Sequence, residues 1–420
     1  MSSLSERIHQ RSIGNNRVHD IMDDLIPRYN VNKELKEHSG CVNTVSFSDS
    51  GDLLISGSDD KYICIWDGYT FDLKDKIYTE HGHNIFSAVM LNDGIISCCA
   101  MGDVYHTNLN GQSAKLHNHG SEMAYQIEII DRNSFMSCGE DGKIIGYDLR
   151  DRNNGIFTMV NSVDIFKKEK ELSDVILKHK TIERGIPSIS LKDDVHFAAA
   201  FNDDFVRIFD RRQLEEPLYS YCPAPINPFS NEDENSEIRT RLGSRVTSCQ
   251  YDPKGSGNLA ISYSDENVYV VNPDFEDFNS IQNPASQYYQ SSNTVASLSG
   301  HLNRRTMIKE CSFLGNNSEY VMSGSDDGRC YIWSIQSQKI VNCFEADEDV
   351  VNCVVSHPVI PCLVLSGIDH SIKVCFPEND PFDEQAFDEY LQERSVTRDS
   401  VDEYTLRMPL MQLLESKILN

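Results

Sequence analysis

An all-β fold built from seven copies of one antiparallel unit is predicted by three features of the chain. The first is a repeated frame. "GCVNTVSFSDSGDLLISGSDDKYICIWD", ending at Asp67, and "MIKECSFLGNNSEYVMSGSDDGRCYIWS", ending at Ser334, both run strand, polar turn, strand ending in Ser-Gly-Ser, Asp-Asp turn, strand ending in Trp. The second is its recurrence as "SFMSCGEDGKIIGYD", "HFAAAFNDDFVRIFD", "LAISYSDENVYVVN" and "CLVLSGIDHSIKVC", with a weaker copy, "GIISCCAMGDVYHTN", in second place. The copies are mostly about 40–60 residues apart. The third is local: β-branched and aromatic runs alternate with Gly, Asp, Ser and Asn turns, as short antiparallel strands require.

Units of this length, with His near the start and Trp-Asp near the end, resemble WD40 repeats. The resemblance implies that each unit is a four-stranded blade and that residues 30–377 form a seven-bladed WD40 β-propeller. A helical segment (1–29) precedes it, and an acidic, then amphipathic, helical segment (378–420) follows. A ring needs its ends joined, so "NVNKELKEH" is expected to supply the outer strand of the last blade.

In chain order, "SLSERIHQRSIGNNRVHDIMDDLIPRYN" puts Ile8, Ile13, Val18, Ile21, Met22, Leu25 and Ile26 on apolar faces of two short helices broken at Gly14-Asn15. The first blade carries His38, Ser56, Asp60 and Trp66, which have the composition of a hydrolase triad. The resemblance assigns them instead to a buried hydrogen-bond chain in which the imidazole orients the Asp of the tight turn. The sixth blade has the same set in His301, Ser323, Asp327 and Trp333. His81/His83 and His117/His119 are close enough to suggest a metal, but His83 and His119 fill repeat-start positions, and no metal or cofactor is expected. Tyr147, Phe209, Val271 and Cys375 replace Trp in blades three, four, five and seven, and Met101 replaces the turn Asp of blade two. These blades are expected to rely on packing rather than on the polar chain.

Bulk composition narrows the function. A net charge of −27 over 420 residues argues against nucleic-acid or anionic-membrane binding, both of which need concentrated Lys and Arg. No apolar run approaches membrane-spanning length, and the N-terminus lacks a signal-peptide core. Thirteen cysteines, odd in number and set in apolar strand-like runs, read as reduced buried residues of an intracellular protein, expected in nucleus and cytoplasm. No Gly-rich phosphate loop, nucleophile elbow or metal-ligand spacing appears, so an enzyme is not expected.

Two strand ends stand apart. "IIGYDLRD" and "VRIFDRRQ" finish in aromatic-Asp-x-Arg, giving Asp148/Arg150 and Asp210/Arg212 on consecutive blades. The other five blades end "WDGY", "TNLN", "VNPD", "WSIQ" and "CFPE", none with Arg two after Asp. In an extended segment, residues two apart project to one side, so each carboxylate can hold its guanidinium fork in one orientation. Paired boxes of this kind are similar to those of the substrate receptors of cullin-4 RING ubiquitin ligases. "HSGCVNTVSF", "NIFSAVML", "SCGEDG", "VRIFDRR", "RVTSCQY", "HLNRRTMIKE" and "EADEDVVNCVVSHP" carry the likeness over most of residues 38–376, nearest to nuclear-receptor-interacting members of that family.

That resemblance implies an adaptor partner, the large subunit of damaged-DNA-binding protein, and through it cullin-4. Arg150 and Arg212 would seat the bottom face on the adaptor, and the N-terminal helices, with Ile8, Ile13, Ile21 and Leu25, would insert into it. The same helices can instead fold against the propeller. Residues 150–173 would lie in the bottom connection of blade three. On the top face Arg239, Arg241, Arg245, Arg304 and Arg305 form a candidate basic patch for an unidentified acidic protein target. The tail "LMQLL" places Leu410, Leu413 and Leu414 in the LxxLL pattern of nuclear-receptor grooves, a spacing that equally describes a helix packed on its own domain. The alternative function is a general WD40 scaffold or transcriptional coregulator without a ligase.

Overall fold

The computed structural model describes residues 24–391 apart from 93, 152–154, 173–183, 224–225, 227–243, 274–289, 293, 307 and 388. Seven antiparallel sheets follow one another along the chain, spanning 42–78, 85–118, 124–161, 188–223, 246–298, 311–345 and 351–377. These are blades one to seven of a β-propeller. The first strand of each blade touches the first strand of the next, and that of blade seven touches that of blade one, so the ring is closed. The expected closing strand is present: Tyr29–Leu35 pairs with Ile372–Pro377, from Tyr29 opposite Pro377 to Leu35 opposite Ile372.

The core has no single centre. Buried apolar residues gather in clusters at the seams between consecutive blades. Trp66, Val42 and Leu54 of blade one, for example, pack on Val364, Ile372 and Val374 of blade seven. Polar bonds stitch the inner strands across the same seams. Gln126 accepts the Ile189 N–H at 3.0 Å, Glu128 the Leu191 N–H at 3.0 Å, and Gln250 the Phe313 N–H at 3.2 Å. None of the thirteen cysteines forms a disulfide and twelve are buried; eight of them pack as small side chains within these seam clusters.

The two rims differ in what they carry. We call bottom the end bearing the turns between first and second strands and between third and fourth, and top the other. The helix Ser162–Leu172 follows the outer strand Ile156–Asn161 of blade three. Only residues 149–155 therefore belong to the bottom connection, and the helix leaves the opposite end of that strand. The expected single bottom connection over 150–173 is thus corrected: the strand Ile156–Asn161 divides the stretch between the two rims. Gln290–Ser292 adds a parallel fifth strand to the outer edge of blade four. Residues from Asp380 onward form a second unit, of which 384–391, residue 388 aside, is a short helix.

The polar chain of the tight turns is distributed differently from expectation. Blade one has it in full. The His38 ring meets Asp60 at 3.0 Å through Nδ1 and Ser56 at 2.8 Å through Nε2, and Trp66 Nε1 donates to Ser56 at 3.0 Å. Blade three also has it in full. His119 meets Asp141 at 2.9 Å and Ser137 at 2.7 Å, and the Tyr147 hydroxyl replaces the indole at 3.0 Å from Ser137. Blade six lacks it. Trp333 donates to the Ser299 carbonyl, Ser323 to the Glu310 and Gly324 carbonyls, and Asp327 accepts the Tyr331 hydroxyl. The buried Lys309, 2.9 Å from Asp326, holds the turn there. Blades four and seven use the same device. Asp203 pairs with the buried Arg207 at 2.9 Å and Asp369 with the buried Lys373 at 2.8 Å, both across an i,i+4 spacing. Phe166, Phe201 and Phe205 surround the Arg207 guanidinium.

In blade two the repeat-start histidine is His81, not His83. The His81 ring is buried, 2.8 Å from Ser97 through Nε2, and nothing among the described residues bonds Nδ1. Burial holds its pKa down at about 4. Met101 occupies the place that Asp60 fills in blade one, followed by Gly102 at φ +78° where blade one has Lys61 at +68°. Met101→Asp is therefore expected to complete the chain and stabilise the fold by about 1–2 kcal/mol. A denaturation midpoint equal to or below that of the parent would refute this.

Candidate docking face

Both Asp-x-Arg boxes leave the third strand of their blade at the bottom. In each, the chain turns straight after the Asp, because the carboxylate accepts the backbone N–H two residues on: Arg150 N to Asp148 at 3.0 Å and Arg212 N to Asp210 at 2.8 Å. The expectation of an extended segment is thus corrected: an Asx turn, not strand pleating, brings the two side chains together. Leu149 N–H bonds the Asn133 carbonyl at 2.8 Å and Arg211 N–H the Val195 carbonyl at 2.8 Å, pinning each box to the neighbouring turn of its own blade.

On that base the side chains form forks of matching geometry. Arg150 Nε donates to Asp148 Oδ1 at 2.8 Å and Nη2 to Oδ2 at 2.6 Å. Arg212 Nε donates to Asp210 Oδ1 at 2.9 Å and Nη2 to Oδ2 at 2.6 Å. The arginine side chains remain 62% and 71% exposed. Hydrogen bonds from the guanidinium and from the backbone hold both Asp pKa values down at about 2, so the carboxylates are ionised throughout the cellular pH range. Nη1 and the outer hydrogen of Nη2 point away from the carboxylate and are available to a partner in a fixed orientation. Asp67, the corresponding residue of blade one, instead caps Tyr69 and Thr70 N–H groups and pairs with Lys74.

The same rim is unusually apolar. Of the ten exposed large apolar residues among those described, eight lie at bottom ends of strands or in bottom turns, and only Tyr78 and Met101 at the top. The chain also enters the ring at the bottom, through the 3-10 turn Ile26–Arg28 beside blades six and seven. Asn342 donates to the Ile26 and Tyr29 carbonyls at 2.9 and 3.0 Å.

Several sequence-predicted site residues are placed differently from expectation. Leu25 is 2% exposed and packs with Ile26 and Tyr29 in the blade six–seven seam, so it anchors the chain to its own propeller and presents no surface to a partner. Ile8, Ile13 and Ile21, Arg239 and Arg241, and Leu410, Leu413 and Leu414 lie outside the described residues. On the top face Arg304 is paired with Asp265 and Arg305 with Asp349, which cancels much of the expected positive field. Arg245 lines a small hollow with Tyr125, Glu140, Gly185, Pro187 and Asn202. The cations missed by sequence reading, Arg207, Lys309 and Lys373, are structural; a charged residue four after a turn Asp was the available signal for two of them.

The WD domain, G-beta repeat family matches residues 29–67 and 292–334. With seven blades, the last completed by the chain's first strand, the chain is a seven-bladed β-propeller carrying WD40 repeats. Among curated proteins it is similar to DDB1- and CUL4-associated factor 6 of Homo sapiens, 28% identical over 279 residues, 63% of this chain and 30% of that protein. It is also similar to WD and tetratricopeptide repeats protein 1 of Mus musculus, 26% identical over 286 residues, 60% of this chain and 40% of that protein. Over 78 residues it is 46% identical to Protein ALTERED SEED GERMINATION 2 of Arabidopsis thaliana, 19% of this chain and 10% of that protein. The match thus spans less than half the length of each of these relatives.

Proposed function

We propose that this chain is a non-catalytic substrate receptor of a cullin-4 RING ubiquitin ligase, working in nucleus and cytoplasm. Its bottom face and N-terminal segment dock on the adaptor DDB1, and its top face receives a protein target. The observation that carries this reading is the pair of matched guanidinium forks on adjacent blades, exposed on the rim where the chain enters the ring. The name of the human relative, DDB1- and CUL4-associated factor 6, supports the choice of partner. The chemistry belongs to other subunits. The receptor contributes proximity, holding a target lysine near the charged conjugating enzyme so that transfer becomes effectively intramolecular.

The full chain is expected to co-elute with purified DDB1 on size exclusion, and a chain lacking residues 1–23 to bind at least about tenfold more weakly, as loss of one of two linked contacts predicts. Failure of the full chain to co-elute would overturn the ligase reading and leave a WD40 scaffold. Equal binding by the shortened chain would remove the N-terminal segment from the contact.

A further inference from the structure

The place where the chain enters the ring is fastened more firmly than closure requires. Asp24 and Leu25 have helical backbone. Pro27 has no N–H with which to continue an α-helix, and the chain passes into the 3-10 turn Ile26–Arg28. Carbonyls of a last helical turn lack intrahelical partners, and an arginine just beyond can supply them. Arg28 does so: its Nε donates to the Asp24 carbonyl at 2.8 Å. Its Nη1 donates to the Asn379 carbonyl, on the chain leaving blade seven. One guanidinium thus ties the end of the helical turn to the exit of the last strand.

Glu378 backs this clasp. Its N–H donates to the Arg28 carbonyl at 2.7 Å, and its carboxylate accepts the Asn32 amide at 2.7 Å and the Asn30 amide at 3.3 Å. Beneath it, Leu25 and Ile26 are buried in the blade six–seven seam, and Asn342 holds the Ile26 carbonyl. The pairing of Tyr29–Leu35 with Ile372–Pro377 closes the ring by itself. Arg28, Glu378 and Asn379 lie just outside that pairing, where the chain enters and leaves. Both Arg28 bonds are exposed to solvent, which competes for donor and acceptor, so they add only modestly to stability. What a planar group bonded to two chain segments does fix is a direction.

From this clasp we infer that Arg28 is a positioning residue for adaptor docking. It aims residues 1–23 from the bottom rim, so that the segment and the arginine boxes engage the adaptor as one body. The inference rests on the docking reading above and adds what couples its two contacts. Once the rim has docked, a segment covalently joined to it binds intramolecularly, and its effective concentration depends on how narrowly its root restricts it. A root already ordered within the fold loses little further freedom on binding. Arg28 therefore acts through the segment rather than by touching the adaptor.

The test is a double-variant cycle in adaptor affinity, read by biolayer interferometry. It compares the parent, Arg28→Ala, the chain lacking residues 1–23, and that shortened chain with Arg28→Ala. Thermal melts check that the ring is intact, and Arg28→Lys, which keeps the charge without the fork, repeats the cycle should Arg28→Ala melt early. The expected result is about a five- to tenfold loss from Arg28→Ala in the full chain and none in the shortened chain, as a lowered effective concentration predicts. Parent-like binding by full-length Arg28→Ala would overturn the inference. So would an equal loss in the shortened chain, the mark of a direct contact or a weakened ring. A shortened chain that binds like the parent would overturn it too, and would leave docking through the rim standing. No adaptor binding by the parent chain would remove both.

Discussion

Replacing Arg150 and Arg212 together by alanine is expected to weaken adaptor binding by about a hundredfold or more, as loss of two interface arginines predicts. Both side chains extend into solvent, and among the described residues each donates its hydrogen bonds to its own Asp, so the double variant should melt like the parent. The contribution is one of preorganisation. Each fork is already held by two hydrogen bonds to a carboxylate that does not protonate above about pH 3, so binding freezes little further side-chain motion. Asp148→Ala/Asp210→Ala keeps the guanidinium groups but removes both their tethers and the Asx turns beneath them. An intermediate loss, about five- to tenfold, is expected from the entropy of two newly mobile side chains. Surface plasmon resonance with immobilised adaptor reads both. Undiminished affinity of the arginine variant would refute the docking role, and equal affinity of parent and aspartate variant would refute the role of orientation.

The second large effect concerns the ring itself. Glu128 and Glu310 are carboxyl groups in seams where Gln126 and Gln250 provide neutral acceptors. Glu128 accepts the Leu191 N–H at 3.0 Å, and Glu310 the Cys353 thiol at 2.7 Å. Burial pushes both pKa values up to about 7 from 4.5. A carboxyl with a raised folded-state pKa favours the fold fully below the unfolded value and loses that contribution as pH rises through the folded value. Stability should therefore fall between about pH 4.5 and pH 7, by about 3 kcal/mol for each group. Glu128→Gln and Glu310→Gln keep an acceptor oxygen and remove the charge. Each variant should match the parent in urea midpoint near pH 5 and exceed it near pH 8. A variant-minus-parent difference that does not change with pH would show that these carboxyls do not titrate in the seam.

The ring was readable because its signal is repeated. Seven copies of one strand-and-turn frame constrain one another, so a weak copy such as "GIISCCAMGDVYHTN" is recovered from its position. The closing strand was readable for the same reason, since a ring with one blade short of a strand demands one. The boxes were visible as an exception within the repeat. What failed was side-chain detail where different residues solve the same problem. Absence of Trp at position 147 suggests packing alone, yet the Tyr147 hydroxyl reaches Ser137 as well as an indole does. His301, Ser323, Asp327 and Trp333 have the right identities, but Lys309 takes the neighbouring Asp326 and the set never assembles. Leu25 shows the limit of apolar periodicity, which detects a face that must be covered without saying what covers it.

The pairing of Tyr29–Leu35 with Ile372–Pro377 also bears on how the molecule is made. During translation the early strand leaves the ribosome long before its partner exists, and six complete blades are synthesised in between. That strand must wait with its edge unsatisfied, a state in which cellular chaperones have most to shield. Loss of the last blade to a premature stop codon would leave this strand without a mate and the first and sixth blades with bare flanks. Truncated products should therefore go to degradation rather than persist as smaller working rings.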